Sequence, residues 1–130
     1  MKNNSQKWEE MRLKYLKKCQ EIIRLSSEIR YVGIVNQYGK TIAGQLKSGI
    51  NPLFSKNQVR EEFFAITSFI KLRIDAIGPI GKMNYALLNH QKVNSLIFHH
   101  KKIIYYITFP NNFIPSESMI KKIKKIVMLG

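Results

Sequence analysis

The segment "IIYYITF", Ile103 to Phe109, is apolar on both of its alternating faces, with Ile103, Tyr105, Ile107 and Phe109 on one and Ile104 and Tyr106 on the other. Side chains alternate across a strand, so such a segment is stable only where both faces of its sheet are covered. It marks a central strand in a layered domain. Two further strands, 83–89 and 93–98, precede it across the short polar connections "NHQK" and "HHKK", the spacing of a meander. Pro110-Asn111-Asn112 ends the last strand.

Upstream, strands at 29–36 and 41–47 flank Asn36-Gln37-Tyr38-Gly39, a short hairpin connection in which Gly39 supplies a positive φ. Gly39-Lys40-Thr41 also has the last three letters of a phosphate-binding loop. That motif needs its first glycine at position 34, where Ile34 stands, and Gly33 is one residue off. It also needs a helix after the threonine whose N-terminus can face the phosphates. The stretch between Thr41 and Gly49 is too short for one and reads as a strand. Gly-Lys-Thr here is read as a turn, and no nucleotide is expected at Lys40.

Three helices are expected. Residues 5–27 repeat Trp8, Met11, Tyr15, Cys19, Ile22, Ile23 and Ser26 at three- and four-residue spacing. A second helix starts at a capping box, Ser55 and Gln58, beside a Phe54–Val59 staple, and runs to about Asp75 before Gly78-Pro79. Pro115 opens the last, with Met119, Ile120, Ile123, Ile126 and Val127 inside and Lys121, Lys122, Lys124 and Lys125 outside.

The second helix carries more apolar surface than one sheet face requires. Val59, Phe63, Ile66, Ile70, Ile74 and Ile77 form a narrow stripe, and Ala65, Phe69, Leu72 and Ala76 form another about 120° away. Glu62 and Arg73 lie between them. The second line must meet something else: the first helix of the same chain, or a second subunit. Small Ala65 and Ala76 beside large Phe69 and Leu72 suit close helix–helix packing.

The chemistry-bearing residues are sparse. The histidines, His90, His99 and His100, fall in or beside strand turns without a carboxylate among them and are read as surface turn residues; no metal site or cofactor is expected. The eight acidic residues all lie off the strands, and no paired acid–base site, nucleophile elbow or dinucleotide fingerprint occurs. Cys19 lies on the apolar stripe of its helix, where it reads as core. No enzyme is expected. With one cysteine, no apolar leader and no membrane-length run, the expected setting is cytoplasmic.

Charge is the unusual property, 22 basic against 8 acidic residues for a net +14. Such a balance favours polyanions, and Lys121, Lys122, Lys124 and Lys125 are the candidate contacts for weak, sequence-blind nucleic-acid binding. The lysines are nevertheless spread over the whole chain, as compositional bias would also leave them.

The element order, α-β-β-α-β-β-β-α, predicts an α+β sandwich with a five-stranded antiparallel sheet. One domain over 1–130 is expected: the N-terminal helix (5–27), sheet and central helix (29–109), and the C-terminal helix (115–129). This order, with "IRYVGIVNQYGKTIAG" as first hairpin and "KMNYALLNHQKVNSLIFHHKKIIYYITF" as meander, resembles the roadblock/dynein light chain family and its profilin-like relatives. The chain is also similar to small archaeal proteins whose hairpin carries Ile29, Arg30, Tyr31, Gly33, Asn36 and Gly39 at these positions. The resemblance implies a non-enzymatic homodimer that serves as a platform for partner proteins, small Ras-like GTPases being frequent ones. It implies that the second helix pairs with its twin and that the sheets join across the dimer. A basic nucleic-acid or anionic-surface binder and a small-ligand sensor are the competing readings.

Overall fold

The computed structural model describes residues 1–75 and 78–129. Its elements are α1 (Asn4–Ile23), β1 (Tyr31–Asn36), β2 (Thr41–Leu46), α2 (Lys56–Asp75), β3 (Ala86–Asn89), β4 (Val93–His100), β5 (Ile103–Pro110) and α3 (Glu117–Met128). The strands form one antiparallel sheet in the order β2-β1-β5-β4-β3, so β5 is central. This is the expected α+β architecture.

The two faces of β5 sort as its alternation requires. Tyr105, Ile107 and Phe109 pack with Cys19 and Ile22 of α1 and Ile123 and Val127 of α3. Ile104 and Tyr106 pack on the opposite face with Phe63, Ile66 and Ile70 of α2. The sheet is therefore sandwiched, with α1 and α3 on one side and α2 on the other.

Local hydrogen bonds explain the boundaries. Ser55 and Gln58 cap α2 reciprocally, with Ser55 N donating to Gln58 Oε1 at 2.8 Å and Gln58 N to Ser55 Oγ at 3.3 Å. In the β1–β2 turn, Gly39 has φ +83°, and Asn36 Oδ1 accepts from the amides of Tyr38 and Lys40 at 2.9 and 3.0 Å. The helix α1 stops at Ile23, short of the expected 27, and Lys47 Nζ, just after β2, donates to the Ile23 and Ser26 carbonyls at that end. At the other end of the chain, α3 starts after Ser116, whose Oγ accepts from Met119 N, so Pro115 precedes the cap and does not open the helix. Strand β3 begins at Ala86, later than the expected Met83, and the β4 residues beyond Ile97 lie past the end of their pairing with it.

Two residues of the apolar stripes are wetter than their spacing implies. Ile74, at the end of α2, is 40% exposed, and Trp8, near the start of α1, is 37% exposed. Periodicity alone does not show that a stripe outruns the sheet beneath it. Ile77, the next residue of the α2 stripe, lies outside the described residues.

The β4–β5 turn is unusual. Lys101 and Lys102 both take positive φ, 50° and 65°. A two-residue hairpin turn of this kind favours Asn-Gly, and a left-handed backbone costs an ordinary residue roughly 1–2 kcal/mol. Both side chains are exposed. Lys101→Asn with Lys102→Gly is expected to raise the unfolding free energy by about 1–2 kcal/mol, read from the urea midpoint at unchanged slope. A lower midpoint would show that the lysines stabilise the turn.

Burial also sets an alkaline limit. Cys19 is pushed up from 9.0 to about 12 by burial. Tyr31 rises from 10.0 to about 12, again chiefly by burial, and Tyr105 and Tyr106 are raised for the same reason. The unfolded chain releases these protons first, so the native state holds more protons above the ordinary values and stability falls as pH rises. Each group contributes up to about 1.4 kcal/mol per pH unit in its window. Lys18 acts oppositely: burial lowers it, and the penalty for its charge is relieved as pH climbs towards 10.5. The urea midpoint should fall from about pH 9 and more steeply above 10, and Cys19→Ala should remove the first part of the decline. A midpoint rising from pH 9.0 to about 12, the range over which Cys19 and Tyr31 are shifted, would contradict this.

Candidate functional site

The central question is what covers the second apolar line of α2. It is not α1, which lies across the sheet on the other face. Of the line's members, Ala65 is exposed, Phe69 partly buried and Leu72 70% exposed; Ala76 lies outside the described residues. The opposite flank of α2 rests against the β1–β2 turn, where a Cβ on Gly39 would come within 3.4 Å of Thr67 Oγ1 and 3.5 Å of Phe64 Cα. Glu62 marks the flank turned the other way, accepting a 2.6 Å hydrogen bond from the Tyr106 hydroxyl of β5, which in turn accepts from Ser95 Oγ of β4. Ala65, Phe69 and Leu72 continue round the helix beyond Glu62, towards the β3 side of the sheet. Strand β3 is the last strand there, and Tyr85 and Leu87 on and beside it are exposed. An apolar helix flank and a sheet edge thus lie on the same side of the molecule.

The helix-wheel reading passed over Phe64, which is 69% exposed. The signal was present in the pair Phe63-Phe64: neighbours on a helix point about 100° apart, so one sheet cannot cover both.

Two cavities lie towards opposite ends of α2. A small apolar one of about 70 Å³ lies between Tyr31, Phe63 and Tyr106 on one side and the Pro52–Phe54 loop on the other. A larger one of about 470 Å³ opens between the ends of α2 and α3, the segment before β3 and the β4–β5 turn. His99 and His100 line the second and are both partly buried, in contrast to the surface turn position expected for them; His90 is exposed. Burial lowers both, and Lys101 and Lys18 lower His100 further. Among the described residues, His100 Nε2 is buried without a hydrogen-bond partner.

The α3 lysines are all exposed, and Lys121, Lys122 and Lys125 line one shallow groove with Glu117. Lys124 lines the larger cavity, while Lys121 pairs with Glu117 at 3.4 Å. Lys40 places its ammonium 4.9 Å from the centre of the Trp8 ring, and Thr41 enters β2 directly, so no helix N-terminus follows Gly-Lys-Thr. No group of three or more metal-ligating side chains occurs among the described residues. No helix among them is long and apolar enough to cross a membrane.

Compared with solved structures, the chain is similar to the gliding protein MglB of Thermus thermophilus, with TM-score 0.68, 9% identity and coverage of 87% of this chain and 82% of that one. The fold is of the roadblock and profilin type. A roadblock/LC7 domain from Streptomyces avermitilis superposes with TM-score 0.66 at 6% identity, covering 86% and 90% of the two chains. Schizosaccharomyces pombe profilin does so with TM-score 0.58 at 14% identity, covering 87% and 92%. A further MglB structure is of a tetrameric arrangement. No family model matches the chain, and no curated protein matches it in sequence. At these identities the roadblock/profilin-like likeness is one of fold.

Proposed function

We propose that the protein is a non-enzymatic interaction module that pairs with a second copy of itself through the Ala65–Phe69–Leu72 flank of α2. The carrying observation is that this apolar line faces solvent on the side of the free β3 edge, while the other face of the sheet already holds α1 and α3. Two copies related by a two-fold axis would cover each other's flank and bring their β3 edges together. Self-assembly of an MglB of the same fold supports the reading. The paired surface then serves as a platform for a protein partner, a small Ras-like GTPase being the class that the roadblock resemblance implies. The exposed lysines of α3 add at most weak, sequence-blind attraction to polyanions.

Light scattering tests the pairing directly. The expected mass is twice the 15.2 kDa of the chain at micromolar concentration. A monomer at the highest soluble concentration would overturn it.

A further inference from the structure

The larger cavity collects positive charge from four separate parts of the chain. Arg73 comes from the last turn of α2, Lys82 from the segment before β3, Lys101 from the β4–β5 turn and Lys124 from α3. Among the residues whose side chains the structure describes, none of the four makes an ion pair and no carboxylate lines the cavity; the side chains of residues 75–77 lie outside that description. Neutralising helix ends does not account for this charge. Each helix C-terminus carries about half a negative charge, so the ends of α2 and α3 offset roughly one of the four. The carbonyl of Val127 at the end of α3 is moreover already taken by buried Lys18, whose Nζ donates to it at 3.2 Å and adds a further cation behind the wall.

Between the cations the walls are mostly apolar, formed by Ile74, Met83, Phe98, Val127 and Met128, with Asn84, His99 and His100 beside them. A rim of cations over an apolar wall suits a ligand with an anionic head and a hydrophobic body, and about 470 Å³ is within the usual range of small-molecule sites. The turn is consistent with this reading at one position: Lys101, which lines the cavity, stands in a left-handed position that favours Asn or Gly.

We propose that this cavity binds a small organic phosphate, its phosphoryl group held by Arg73, Lys82, Lys101 and Lys124 and its body lying against Phe98 and Met128. The proposal does not rest on pairing through α2. A soluble ligand is favoured over a polynucleotide because the four cations line one cavity and are not strung along a surface.

Calorimetric titration with 1-naphthyl phosphate, with inorganic phosphate as comparison and amide NMR to locate the site, decides it. The aryl phosphate should bind more tightly than inorganic phosphate and shift the resonances of His99, His100 and Lys101. Arg73→Gln with Lys124→Gln should weaken binding by about tenfold or more, since charge-assisted hydrogen bonds are lost. Lys121→Gln with Lys122→Gln, on the same helix but off the cavity, should leave it unchanged. Met128→Asp, at a half-exposed wall position, should remove the preference for the aryl ligand. Binding that survives the first pair, or falls equally with the second, would reduce the effect to diffuse charge and overturn the site. An oligonucleotide displacing the aryl phosphate at equal phosphate concentration would assign the cavity to nucleic acid instead. Displacement by vesicles of phosphatidylcholine with phosphatidylinositol phosphate, but not by pure phosphatidylcholine, would assign it to membranes.

Discussion

Phe69→Glu combined with Leu72→Glu is expected to convert the proposed dimer into a folded monomer. Fully burying a large apolar side chain contributes about 1.5–3 kcal/mol, so two such residues from each of two subunits supply at most roughly 6–12 kcal/mol of gross association energy, less for the already partly buried Phe69. A micromolar dimer is held by about 8 kcal/mol, so the loss removes most of the interface at any accessible concentration. The introduced carboxylates add repulsion across the two-fold axis and would be desolvated without a partner. The fold should survive, because Phe63, Ile66 and Ile70 hold α2 to the sheet and are untouched. Light scattering reads the mass and circular dichroism the fold. Leu72→Glu alone, at a position 70% exposed, separates the two effects, since it removes no core contact. A dimer that persists through both substitutions would exclude this flank, and unfolding by Phe69→Glu alone would assign Phe69 to its own subunit's core.

Gly33→Ala is expected to be the most damaging small substitution in the chain. Gly33 faces Gly44 across the first hairpin, and Tyr31 lies over both. A Cβ at position 33 would stand 2.8 Å from the tip of the Phe63 ring and 2.8 Å from the Tyr31 ring. Phe63 is 1% exposed and anchors α2, so it cannot swing aside without opening the second core. Overpacking of this kind costs about 1–3 kcal/mol, several degrees in Tm. Phe63→Leu shortens the ring that clashes, so combining it with Gly33→Ala should cost less than the sum of the two singles. Additive effects, or a Gly33→Ala protein with wild-type Tm, would remove the close approach as the reason for this glycine.

Some features were legible because their causes are local. The capping box at Ser55 and Gln58, the turn at Asn36 and Gly39, and the inside of α3 depend on hydrogen bonds and spacing within a few residues. The central place of "IIYYITF" was legible as well, since a strand apolar on both faces leaves no edge position open to it. Gly33 showed itself only as part of a pattern, because its reason is a ring from a helix thirty residues away in the chain.

The sequence by itself determined the sandwich, its element order and the existence of a surplus apolar line on α2. Only the tertiary structure decided that α1 cannot cover that line, because which face of a sheet a helix takes depends on how the connections cross it and not on the helix's own periodicity. The same holds for the basic cavity. Arg73, Lys82, Lys101 and Lys124 lie far apart in a chain where lysine is common everywhere, and their convergence comes from the late start of β3 and the meeting of two helix ends over the β4–β5 turn. Charge is a property of residues, but a charged site is a property of their packing.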